Sequence, residues 1–198
     1  MIDYSKGADF CRTNSARLET SARIILKDDD GTHSFGLFLY HIAYEESAKA
    51  IFCLFVERGW VDENFVTNVF KDHKAKLFLF EEIFRSFAVI DGQGHLGGKK
   101  LGEISLDKFI EEHSKKILEH RKITNDFLYV GKTDEWKVPD LKIENILEQE
   151  KKIRLKIKGL DTIFEYIREK LDGKYSHNDN FHFHEEENGD FVIQWDSV

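Results

Sequence analysis

Several ionisable side chains stand where the hydrophobic pattern calls for apolar ones. Glu46 and Lys49 fall on one stretch of helical periodicity, Asp72, His73 and Lys76 on a second, and His113, His120 and Arg121 on a third. Successive helical residues turn by roughly 100°, so such positions can be projected onto a wheel. Glu46 projects into the middle of an apolar arc between Ile42, Ala43, Ala50 and Cys53, with Lys49 at its edge. Lys76 falls among Phe65, Val69 and Ile83, His73 beside Val66 and Phe80, and Asp72 at the rim. His113 and His120 lie within a third arc and Arg121 at its border. Unpaired charge is costly to bury, so these groups should face one another, a cleft or a ligand.

Together they hold the parts for cleaving a phosphodiester without a metal. His or Glu moves protons, and Lys or Arg holds the phosphate. A metal site competes, with Glu46, His73, His113 and His120 as ligands. Bundle di-iron sites, however, use Glu-x-x-His on two helices, and that spacing is absent from the chain. His177, His182 and His184 form a second, weaker grouping, so neither a metal nor a cofactor is expected. The purely architectural alternative also stands. A Glu–Lys pair can lock helix register, long cations can bury only their stems, and Arg121 can serve the C-terminus of its helix.

The elements that must carry these residues are long helices. Tyr4, Ala8, Cys11, Ser15, Leu18, Ala22 and Ile25 recur at three- and four-residue steps, which predicts a helix over 4–28. Phe35, Leu39, Ile42, Ala43, Ala50 and Cys53 predict a second over 33–58, with Thr32 as cap and Gly59 as stop. A third is expected over 62–88, a fourth over 105–126, and a fifth over 140–172. The fifth presents Ile143, Ile146, Leu147, Ile153, Ile157, Leu160, Phe164, Ile167 and Leu171 as its apolar set. Its basic run, Lys151, Lys152, Arg154, Lys156 and Lys158, spreads around the helix and reads as a solvated face.

Between the third and fourth helices, 91–102 is glycine-rich. Its Gly92-x-Gly94-x-x-Gly97 follows a helical pattern rather than a strand, so it reads as a connection, not a dinucleotide fingerprint. Near the end, Phe181 to His184 alternates, Asn188-Gly189 supplies a turn, and Phe191 to Trp195 follows, which predicts a small β-hairpin. The expected organisation is therefore an all-α domain over 1–173 and a hairpin tail over 174–198.

Composition limits the function classes. Seventeen Phe and a single Pro in 198 residues favour uninterrupted, bulky-cored helices. The net charge of −8 argues against broad nucleic-acid binding. No membrane-spanning run and no signal peptide are apparent. Cys11 and Cys53 follow no framework spacing, so reduced thiols in a cytoplasmic protein are expected.

Ordered motifs carry a family resemblance. Ala43-Tyr44-Glu45-Glu46-Ser47-Ala48-Lys49 resembles the A-x-E-E-x-x-K helix of the abortive-infection AbiV proteins, and Asp72-His73-Lys74-Ala75-Lys76 their D-H-K-x-K segment. Arg121, then Leu128-Tyr129-Val130, Trp136 and Pro139, resembles their R…LYV…W…P stretch, and Asn14-Ser15-Ala16-Arg17-Leu18 fits near the start. The resemblance spans about 10–170. It implies a HEPN-type bundle of about five helices that commonly dimerises, and an anti-phage role in bacteria. It also implies metal-independent ribonuclease chemistry, whose usual signature is Arg, four to six residues, then His. No His follows Arg121 in that window. Two readings stay open. One is a rearranged nuclease site, with Glu46 and His73 handling protons, Lys49, Lys76 and Arg121 holding phosphate, and Tyr129 as a donor; Asp72 and His120 would flank the ligand. The other is an effector that binds a phage or host translation component, or RNA, with the polar residues as scaffold.

Overall fold

The computed structural model describes residues 2–27, 33–71, 95–96, 99–100, 131–132, 136–137, 142–165, 167–168, 180–185 and 191–196. Its packed core is helical. Helix α1, Tyr4–Ile25, begins at Asp3, whose carboxylate accepts the Lys6 backbone N–H at 2.9 Å. That bond satisfies one of the donors a helix start leaves without an intrahelical partner. Ala8, Ser15 and Ala22 recur every seven residues and are buried, while Tyr4, Cys11 and Leu18 pack partly against the core. A stripe of side chains this small lets a second helix come close.

That second helix is α2, His33–Glu57, which runs antiparallel to α1. Contacts at the α1 C-terminal end fall at the α2 N-terminal end, where a Cβ on Gly36 would lie 2.7 Å from Leu26 Cγ. Buried residues ring α2 on most sides: Leu37, Tyr40, Tyr44, Ala48, Ile51, Phe52, Leu54 and Phe55 are all at most 3% exposed. A helix buried this widely has no single apolar arc. The wheel reading is corrected accordingly: Phe35 is 53% exposed, and Leu39 and Ile42 are only half-buried.

The α2 terminus is closed by Gly59 at φ +69°. The Gly59 N–H donates to the Val56 carbonyl and the Trp60 N–H to the Phe55 carbonyl, both at 2.9 Å. This is the double bond pattern of a Schellman stop, and its usual hydrophobic contact is present, with the Phe55 and Trp60 ring centroids 5.4 Å apart. The chain then enters α3, Glu63–Lys71, which buries Val66. Helix α4, Ile143–Glu165, covers another side of α2 with Ile146, Ile153, Ile157, Leu160, Ile163 and Phe164. Ile143 and Leu147, expected in that set, are 41% and 44% exposed.

Three antiparallel ladders complete the description. The strands β1, His95–Leu96, and β2, Lys99–Lys100, pair within the glycine-rich segment that reads as a plain connection. Strands β3, Gly131–Lys132, and β4, Trp136–Lys137, pair next. Then β5, Asn180–Glu185, pairs with β6, Phe191–Asp196, Phe183 opposite Ile193. The turn expected at Asn188-Gly189, the helix expected over 105–126 and the continuation of α3 past Lys71 lie outside the described residues. Among the described residues, no helix is long and apolar enough to cross a membrane.

Candidate functional site

The two sequence motifs nearest the N-terminus meet each other. Ser15, within Asn14–Leu18, is buried against Ala43 and Ser47, within Ala43–Lys49. Ser15 Oγ donates to the Ala43 carbonyl at 2.9 Å and lies 2.8 Å from Ser47 Oγ. Ser15 and Ser47 are both buried, and each has a partner there.

Glu46 and Lys49 stand one turn apart on α2 and form an ion pair. Their side chains are 13% and 24% exposed. With Ile42 and Glu45 they make the least covered stripe of the central part of α2, so Glu46 is not at the centre of a sealed face. The same stripe continues to Cys53. Cys11 approaches from α1, and the two thiols act on each other's ionisation across the helix pair. Glu46 and Lys49 are close enough for their charges to act on both sulfurs. The neighbouring Cys53 thiol holds the Cys11 thiol below its ordinary value, against burial and the Glu46 charge. The neighbouring Cys11 thiol, with burial, pushes Cys53 up. Asp72, His73, Lys76, His113, His120, Arg121 and Tyr129 lie outside the described residues.

A second polar seam, which the wheel gave no reason to expect, joins α1 to α4. Arg12 pairs with Glu165, sets its Nε 3.4 Å from Asp161, and stacks its guanidinium 4.5 Å from the Phe164 ring centre. Arg168 holds Asp9 through both carboxylate oxygens and flanks the other approach to Phe164 at 5.7 Å. The hydrogen bond from Arg168 keeps the Asp9 carboxyl below its ordinary value. Burial raises Asp161 despite Arg12, and burial together with the nearby Asp161 charge raises Glu19. The sequence signals this seam only in that Asp161 and Glu165 stand beside Phe164 within one helical turn. The basic run of α4 is a solvated face, as expected. Lys152 pairs with Glu148 at 2.6 Å and Arg154 with Glu150 at 3.1 Å, each one turn away. Lys156 departs from it, half-buried with its ammonium 5.6 Å from the Tyr44 ring centre.

Among the described residues, no three His, Cys, Asp or Glu side chains converge as a metal-ligand group. What the described site offers chemically is a carboxylate and an ammonium that neutralise each other beside two thiols. A family model described as AbiV, of HEPN type, matches residues 3–157. No curated protein and no solved structure matches the chain.

Proposed function

The chain belongs to the AbiV family of HEPN-type proteins, and from that premise we propose that it is a bacterial abortive-infection effector. It blocks phage production by binding a phage or host component, at the level of RNA or translation, and it works as a homodimer. The observation that carries the binding reading is the Glu46–Lys49 ion pair. A carboxylate engaged by its own helix neighbour is poorly placed to take a proton from a substrate hydroxyl. The lack of a His four to six residues after Arg121 and the net charge of −8 point the same way. In this reading Glu46 and Lys49 are scaffold, and Asp72, His73, Lys76, His120, Arg121 and Tyr129 serve as scaffold or as contacts to the partner.

The competing chemistry is a metal-independent ribonuclease with a diverged HEPN site. Glu46 and His73 would move protons, Lys49, Lys76 and Arg121 would hold phosphate, and Tyr129 would donate. The deciding experiment follows translation and RNA integrity in cells expressing the chain, with and without phage, beside a His73→Ala/Arg121→Ala variant of verified fold. Translation arrest over intact RNA is the expected result. RNA cleavage by the natural chain and not by the variant would replace the binding reading with the nuclease one. Unchanged phage resistance in the variant would remove His73 and Arg121 from either role.

A further inference from the structure

The chain contains two cysteines, and the fold brings both to one place. Cys11 lies on the α1 face that packs on α2, and Cys53 sits on the opposing face of α2. Gly7, one turn before Cys11, faces Cys53: an added Cβ there would lie 3.6 Å from Cys53 Sγ. Both cysteines are thus presented to the same stretch of the α1–α2 interface. Cys53 is buried and Cys11 is half-buried, so one sulfur of the pair can be reached from outside and the other cannot. A buried cysteine by itself is an ordinary small apolar residue. Two thiols presented to the same helix interface, one of them reachable, are the arrangement of an attacking and a resolving cysteine.

We propose that Cys11 and Cys53 are a reversible oxidation site, at which a hydroperoxide converts the thiol pair into a disulfide stapling α1 to α2. The Cys11 thiolate attacks one oxygen of hydrogen peroxide. The O–O bond breaks, hydroxide leaves, and Cys11 becomes a sulfenic acid. The Cys53 sulfur, giving up its proton, then attacks the Cys11 sulfur, and the S–OH bond breaks. Its hydroxide combines with that proton as water. In sum two thiols and one hydrogen peroxide become one disulfide and two waters, the peroxide taking up both electrons. The division of roles follows from exposure: half-buried Cys11 reacts first and buried Cys53 resolves.

The site stands independently of the anti-phage reading and is tested on the purified chain. The fully reduced protein is titrated with hydrogen peroxide under native conditions, and its thiols are counted and its peptides mapped. The expected result is loss of both thiols per added peroxide, a Cys11–Cys53 linked peptide, and a higher Tm. Dithiothreitol should reverse all three. In a Cys53→Ser variant, Cys11 should stop as a sulfenic acid that a dimedone probe traps. The proposal is overturned by any of three results with the natural chain alone: both thiols surviving, Cys11 passing to the sulfinic acid while Cys53 stays free, or a crosslink joining two copies. Linkage seen only after unfolding in urea would equally overturn it.

Discussion

The Ser47 hydroxyl reaches the Ser15 hydroxyl across 2.8 Å, and Ser15 passes its own hydrogen to the Ala43 carbonyl at 2.9 Å. Since Ser15 has one hydrogen to give, Ser47 must be the donor of the first bond. A serine would ordinarily bond the carbonyl four residues back in its own helix. Here that carbonyl is taken by a residue of α1. Ser15→Ala should therefore release the Ala43 carbonyl to Ser47 and cost only about 0.5–1.5 kcal/mol, the loss of one net hydrogen bond. Ser15→Ala/Ser47→Ala should cost less than the two single variants added together, with a coupling of about 0.5 kcal/mol or more in urea unfolding. Additive losses would mean that the two hydroxyls act separately.

Glu46 and Lys49 test the difference between scaffold and chemistry. Lys49→Met leaves the Glu46 carboxylate, 13% exposed, without its partner. It should lower stability by about 1–3 kcal/mol, below the cost at a fully buried site. Glu46→Leu/Lys49→Met removes both charges and should recover most of that loss. Phage protection should survive in the double variant, as assayed by plaque counts; its loss at undiminished Tm would return the pair to a chemical role.

Gly36 and Gly59 should fail for different reasons. A methyl on Gly36 would meet Leu26 Cγ at 2.7 Å and the Ala22 carbonyl at 3.2 Å. Gly36→Ala should cost about 1–3 kcal/mol by forcing α1 and α2 apart, and Leu26→Ala should reduce that increment in the double variant. A methyl on Gly59 would meet nothing within 4 Å, so only its φ of +69° matters. Gly59→Ala should cost about 1–2 kcal/mol, and Gly59→Asn less, because Asn tolerates the left-handed region. Chemical denaturation of these variants and of Leu26→Ala alone separates crowding from backbone strain.

Acid should act in two opposed stages. Asp161 and Glu19 have carboxyls raised by burial, so the folded state binds their protons more tightly than the unfolded one. Stability therefore rises as pH falls through their raised values toward the ordinary carboxylate range. Asp9 has the opposite sign, because Arg168 favours its ionised form. Its contribution is present above the unfolded value and is lost as pH falls through the lowered folded one. Glu19→Gln should flatten the first limb and Asp9→Asn the second, read as Tm against pH. Glu19→Gln should also raise Tm at neutral pH and converge with the natural chain in acid.

Much of α1 was legible from spacing alone. Alternating three- and four-residue steps of small and apolar residues can bury only one stripe, and Ala8, Ser15 and Ala22 are that stripe. The family was legible too, because its motifs are local runs whose order survives in one dimension. The α2 wheel misplaced Glu46 for a physical reason. A projection assumes one buried side, and α2 takes both α1 and α4 on its surface, so the position that projected as the centre is a half-open stripe.

What the chain determines by itself is periodicity, capping and motif order: helices that start at Asp3 and stop at Gly59, and membership in a family. What only the tertiary structure decides is which partners meet. Cys11 with Cys53, Ser15 with Ser47, and Arg12 with Phe164 and Glu165 are pairs 32 to 153 positions apart. No period links residues that distant. They meet because α1 packs antiparallel on α2 and α4 packs against both, which turns separation along the chain into contact across an interface.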